Sequence, residues 1–244
     1  MRIALIGDLH GDLDLLVRCA ESAARRGAAA AIQLGDLGFR EDLLGAGRRW
    51  PRLALPVLAV CGNHEDHAFL ANARRSGLAA AWAAHGLVYQ PRGSTARLGG
   101  RRVLFIGGAL HADRAQDADR GNLIGAQDLA AAQAAAAIHP PDLVASHACP
   151  AGIGIGMRGS PALATAVAQH IHAAGYDCGP ASDCGEPALA ELWRSLAHRP
   201  ACWAFGHFHT SHAAEIGGTA FRAVPEAEPE TLLWWDSTLG AFLD

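Results

Sequence analysis

Five short runs of this chain carry side chains that bind metal ions: Asp8-Leu9-His10-Gly11, Gly35-Asp36, Gly62-Asn63-His64-Glu65, Ser146-His147 and Gly206-His207-Phe208-His209. Carboxylates, imidazoles and an amide oxygen together suit Mn, Fe or Zn, whereas a shell of oxygens alone would favour Mg or Ca. Taken singly, each run has an ordinary structural use. Asp-x-His caps a helix, Gly-Asp makes a turn, and Asn-His-Glu caps whatever helix follows. What sets the five apart is their placement. Each comes at or just after the end of an expected strand, and glycine adjoins the polar residues in four of them, which lets backbone approach a ligand closely.

The strands that must position these runs are short and apolar: 2–6, 30–34, 57–60, 103–106, 143–146 and 202–205. They alternate with helical stretches at 12–26, 65–75, 127–137, 161–172 and 187–198. Leu13, Leu16, Val17 and Ala20 share one face of the first helix. Gly27 is its expected stop, and Pro161 and Pro187 suit the first turns of theirs. Short apolar strands separated by helices predict sheets covered by helices. In an open α/β sheet the ligand crevice lies at the carboxyl ends of the strands, so the five runs are expected to converge there. The tail differs: 212–216, Gly217-Gly218 and 219–224 form an expected hairpin, followed by a strand at 231–235. The glycine-rich stretch 152–185 reads as an excursion inserted into a single domain spanning 1–244, of a length that often serves as a lid.

Composition narrows the function. The chain has 244 residues, with 20 basic against 24 acidic side chains and a net charge of −4. That balance argues against a general nucleic-acid binder, which shows a basic excess or a basic face. Half the residues are apolar and 18% are charged, which excludes disorder for most of the chain. No run reaches the ~18 apolar residues of a membrane span. Asp8 interrupts the start before a signal peptide's apolar stretch is complete, so a cytoplasmic location is expected. The six cysteines contain no CxxC pair, so neither a disulfide framework nor a cysteine zinc site is expected.

In order and spacing, Asp8-x-His10, Gly35-Asp36, Gly62-Asn63-His64-Glu65, His147 and Gly206-His207-x-His209 resemble the calcineurin-like metallophosphoesterases, in the manner of a small bacterial member. The resemblance implies a four-layer α/β/β/α sandwich, with two mixed sheets flanked by helices and two divalent metal ions at the strand ends. It implies that Asp8, His10, Asp36 and His209 hold one ion. Asp36, Asn63, His147 and His207 would hold the other, with Asp36 bridging and His64 beside the metals without ligating. The ions are expected to be Mn, Fe or Zn. The expected reaction is in-line attack of a metal-bridging hydroxide on phosphorus, with His64 assisting the leaving oxygen.

Arg40 stands where protein phosphatases of this superfamily carry a phosphate-gripping arginine, though Leu37-Gly38-Phe39 departs from their usual sequence, and Cys61 replaces the arginine they place before Gly-Asn-His-Glu. The segment 105–114 is similar to a Gly-Gly-Ala stretch of small bacterial members and would bring His111 and Arg114 near the pocket. Arg158 lies in the glycine-rich excursion and completes the candidate substrate-binding set. A phosphomonoesterase acting on a small phosphorylated molecule or a phosphoprotein is the leading expectation. A phosphodiesterase or nucleotide hydrolase with the same site is the alternative. A non-catalytic scaffold is disfavoured because all seven ligand positions and His64 are present. Neither a nucleic acid nor a membrane is an expected partner.

Overall fold

Strand β1 (Arg2–Ile6) carries no polar side chain after Arg2 because both of its faces are covered. Ile3 and Leu5 point into a core shared by two sheets, while Ala4 and Ile6 meet helices on the other side. The computed structural model describes residues 1–110, 121–155, 165, 167–173, 175, 178–180 and 182–243. The other strands are β2 (Ala30–Gln33), β3 (Val57–Ala59), β4 (Leu87–Tyr89), β5 (Ser94–Leu98), β6 (Arg101–Ile106), β7 (Leu143–Ser146), β8 (Cys202–Phe205), β9 (His212–Ile216), β10 (Thr219–Ala223), β11 (Leu233–Asp236) and β12 (Ala241–Leu243). They form two six-stranded mixed sheets, ordered β12-β11-β1-β2-β3-β4 and β5-β6-β7-β8-β10-β9. Strands β1 to β4 are parallel in the first sheet, and β6, β7, β8 and β10 are parallel in the second.

Three apolar cores separate four layers. Between the sheets pack Ile3, Leu5, Ile32, Val60, Phe105, Leu143 and Trp235. Outside the first sheet, Leu16, Ala20, Phe69 and Trp82 bring in α1 (Leu13–Arg25), α3 (His67–Ser76) and α4 (Leu78–Ala84). A short α2 (Glu41–Leu44) lies between α1 and α3 in the chain. Outside the second sheet, Leu129, Ala132, Leu189 and Trp193 bring in α5 (Ala126–Ile138) and α6 (Pro187–Ser195). This is the α/β arrangement of two mixed sheets flanked by helices that the sequence led us to expect.

Local signals explain the boundaries. Asp12 caps α1 by accepting the Leu15 N–H at 2.7 Å, and Gly27 follows the helix at φ +84°. The expected helix 65–75 starts later, at His67, because Asp66 is the residue that caps it, accepting the Phe69 N–H at 2.9 Å. Gly217 and Gly218, both at positive φ, close the β9–β10 hairpin. Pro161, 162–164 and 166 of the expected helix 161–172 lie outside the described residues; within them, 167–172 forms one π-helical turn. Strands β4, β5 and β12 and helices α2 and α4 were not expected. Each is short, and β5 and β12 lie at sheet edges with alternating or half-exposed side chains. Among the described residues no helix is long and apolar enough to cross a membrane.

Candidate metal centre

Parallel strands deliver all five runs to one end of the sandwich. Asp8 and His10 follow β1, Asp36 follows β2, and Asn63 and His64 follow β3. His147 follows β7, and His207 and His209 follow β8. Bonds within the first sheet and between the sheets fasten the ends together. The Asp8 carboxylate accepts the His207 N–H at 3.0 Å, and the Asp36 carbonyl accepts the N–H groups of Leu9 and His10 at 3.1 and 2.7 Å. Glu65, fully inside, accepts four backbone N–H groups, from Leu37, Gly38, Phe39 and Gly62 at 2.6–3.3 Å. It thereby ties the loop after Asp36 to the loop that carries Asn63 and His64. Burial and the nearby Asp36 push its carboxyl up to about 7.

Glycine is required where these loops touch. A Cβ on Gly62 would overlap the Asp36 carboxylate, and a Cβ on Gly35 would overlap the His147 ring. The backbone is also held in an uncommon shape. Among the described residues, four that are not glycine have positive φ: His10, Asp36, His207 and His209, at +48°, +53°, +70° and +52°. Left-handed backbone costs an L-residue ~1–2 kcal/mol and collects at functional sites. All four are residues singled out as ligands from the sequence.

The ring nitrogens are arranged so that lone pairs, not protons, face inward. His147 directs Nδ1 at the Leu34 carbonyl, 2.7 Å away, and a carbonyl only accepts, so Nδ1 carries the proton. Nε2 then faces Asn63 Oδ1 at 3.0 Å and Asp36 Oδ2 at 3.4 Å. His209 directs Nδ1 at Glu226 Oε1, 3.3 Å away, and its Nε2 lies 3.1 Å from both Asp8 Oδ2 and His10 Nε2. Acceptors that converge without hydrogens between them repel one another unless a positive charge sits among them. A proton can take that place singly; a divalent cation satisfies the whole set. The donors therefore fit the two divalent ions that the resemblance implies. Among the described residues, three groups of donor atoms, each within 4.8 Å of one another, can hold a metal ion: Asp8, His10 and His209; Asp8, Asp36 and His147; and His10, Asp36 and His64.

Electrostatics agree with the geometry. Burial opposes the charge of Asp36, yet His147 and the His64 N–H, which donates to Oδ1 at 2.8 Å, hold its carboxyl well below the usual carboxylate range. Burial likewise works against Asp8, but His147 and the hydrogen bond to His209 lower it. Burial disfavours a charged His147, but Asp36 and Asp8 raise it to about 10. The pocket thus draws positive charge to the spot where the lone pairs meet. His207 is the opposite case: burial and the neighbouring His147 push it down to about 3, so its ring is neutral. Its ring centroid lies 4.9 Å from that of His147.

The remaining expected site residues are placed unequally. His64 lines the cleft with Nε2 3.9 Å from Asp36 Oδ2. Arg40 also lines the cleft, and its Nε lies 3.3 Å from Asp42. His111, Arg114 and Arg158 lie outside the described residues. Sequence reasoning missed Glu226, which orients His209; it stands past the end of β10 in a run of Glu and Pro with no pattern to mark it. The cleft has a volume of about 820 Å³, and its wall includes His67, Ala68 and Gly121.

Comparison with known proteins bears on this arrangement. A family model described as calcineurin-like phosphoesterase matches residues 1–211. No curated protein sequence matches the chain. Among solved structures, the TT1561 protein of Thermus thermophilus aligns with a TM-score of 0.59 at 14% identity, over 99% of this chain and 96% of that one. A dimetal phosphatase from Danio rerio aligns at 0.53 and 14%, over 96% and 91% of the two chains. A putative 5′-nucleotidase from Staphylococcus aureus aligns at 0.52 and 13%, over 96% of this chain and 50% of its own. At these identities the likeness is one of fold.

Proposed function

We propose, from the premise that this chain belongs to the calcineurin-like phosphoesterases, that it is a metallophosphoesterase acting on phosphomonoesters. In this reading Asp8, His10, Asp36 and His209 hold one divalent ion, Asp36, Asn63, His147 and His207 hold the second, and the metals are Mn, Fe or Zn. The single observation that supports it most is the convergence of lone pairs on Asp36 and Asp8 from His147, Asn63, His209 and His10. When bound, a pair of divalent cations supplies Lewis-acid stabilisation of phosphoryl oxygens and lowers the pKa of a water.

The chain's own groups do the rest. Leu34 and Glu226 fix the tautomers of His147 and His209, so their Nε2 lone pairs point inward. Glu65 holds the two loops that carry Asp36 and Asn63 in one register. His64, on the cleft wall beside Asp36, carries a proton to the leaving oxygen. Arg40 grips a non-bridging oxygen. We read the compartment as the cytoplasm, which six free, buried cysteines support.

One observation favours the second reading, a phosphodiesterase. Arg40 is the one arginine or lysine among the described residues lining the cleft, and Asp42 already lies against it. A diester carries one charge fewer than a monoester dianion and asks less of the wall. Turnover of an aryl phosphate against a bis-aryl phosphate with added Mn²⁺ separates the two. Asp36→Asn is expected to remove metal binding and turnover together. Retained metal and retained turnover in that variant would refute the shared-carboxylate assignment.

A further inference from the structure

A buried amide joins the two loops that carry Asp8 and Asp36. Gln33, the last residue of β2, is fully buried. Strand alternation places it on the helix side of the first sheet with Ala31, while Ile32 and Leu34 face the second sheet. Its Nε2 donates to the Gly35 carbonyl at 2.6 Å and to the Gly7 carbonyl at 3.2 Å. Its Oε1 accepts the Gly35 N–H at 3.1 Å. The amide thus engages both backbone groups of Gly35 and reaches across to the end of β1. Gly7 precedes Asp8, and Gly35 precedes Asp36. Gly35 is confined from the other side as well: a Cβ there would overlap the His147 ring, whose Nδ1 lies 2.7 Å from the Leu34 carbonyl.

We propose that Gln33 is a positioning residue of the metal centre: it sets the spacing of Asp8 against Asp36, and through that spacing the holding of two cations as a pair. The proposal rests on the dinuclear reading given above. Asp8, Asp36 and His147 each place a donor atom within 4.8 Å of the others. Two buried carboxylates this close repel, and repulsion favours drawing their loops apart. The Asp36 carbonyl, which accepts from Leu9 and His10, ties the loops beyond the carboxylates, and Gln33 ties them before. Only an amide suits the place. A carboxylate would face two carbonyls with no hydrogen between them, and an apolar side chain would leave three backbone groups without the partner they now have.

Mn²⁺ tests this without reference to turnover. Electron paramagnetic resonance separates two Mn²⁺ ions coupled through a shared ligand from ions held singly, and a titration gives the affinity for each. In the full wild-type chain we expect the coupled signal at two equivalents. Gln33→Met keeps the bulk and removes all three bonds. We expect it to bind the second ion ~10–100-fold more weakly, with the single-ion signal dominant at two equivalents. Gln33→Asn keeps the amide but falls one carbon short, so its loss is expected to be smaller; it carries the same decision where Gln33→Met does not fold. Thr219→Val is the control for lost stability alone. It deletes the buried bond from Thr219 Oγ1 to the Pro200 carbonyl, at the opposite end of the parallel strands, and should melt earlier while keeping the coupled signal. An unchanged signal and second-ion affinity in the Gln33 variants overturn the proposal and leave the dinuclear reading standing. Loss of the signal in Thr219→Val to the same degree assigns the effect to stability and also overturns it. A wild-type chain that never gives the coupled signal refutes the dinuclear reading, and the proposal with it.

Discussion

Gly62→Ala is the most searching perturbation of the phosphoesterase centre, because it removes no ligand and changes no charge. The added Cβ would overlap the Asp36 carboxylate and lie 2.6 Å from Asp36 Cγ. Ordinary contact begins near 3.4 Å and the Cβ would overlap the Asp36 backbone nitrogen as well, so the carboxylate must retreat by ~0.8 Å or more and the loop must yield with it. Retreat breaks the His64 N–H bond to Oδ1, now 2.8 Å, and shifts Oδ2 away from His147. Overpacking of this kind costs ~1–3 kcal/mol, partly offset by ~0.4–1 kcal/mol from the less flexible unfolded chain. For a chain of this size the net is a fall in Tm of up to ~10 °C, at ~2–4 °C per kcal/mol. A reacting geometry displaced by ~1 Å loses ~10²-fold in rate. The assay is initial turnover of an aryl phosphate at saturating Mn²⁺, with a thermal melt on the same sample. Gly125→Ala is the control, since its Cβ would meet only Asp128, at 3.6 Å. A folded Gly62→Ala protein with wild-type turnover would refute the claim that this glycine sets the position of Asp36.

His64→Ala is expected to keep its metal content and lose ~10²–10⁴-fold in turnover of substrates with poor leaving groups, and an unchanged rate there would exclude the acid role. Glu226→Gln should weaken metal binding ~10–100-fold through His209, read by titration with Mn²⁺. Glu186 supplies a pH test away from the site: burial lifts its carboxyl from 4.5 to about 7. The folded state therefore holds a proton that the unfolded chain has released. The stability this contributes is complete below pH 4.5 and is lost as pH rises through about 7. Glu186→Gln should flatten that decline in a series of melts, and an equally steep decline in the variant would assign it to other groups.

The parallel strands were legible because burial on both faces leaves an unbroken apolar run, as in β1, β7 and β8. The donors were legible because each follows such a run directly. Less visible were the edges. Strand β5, Ser-Thr-Ala-Arg-Leu, has one face in solvent and is defined by pairing with β6, which no local pattern reveals. Glu226 was hidden for a related reason: its partner His209 lies on another element, and only the packing of the second sheet brings them into contact. The role of Glu65 was hidden too, since a carboxylate that accepts four backbone N–H groups reads in sequence as one more acidic residue in a motif.

The four left-handed corners at His10, Asp36, His207 and His209 set heat tolerance against activity at the same positions. Replacing any of them with glycine would ease the chain and delete a donor, so the changes that most cheaply stiffen an ordinary loop are closed to this one. Engineering for endurance therefore has to work elsewhere, in the helical layers, and leave the tense rim as it is.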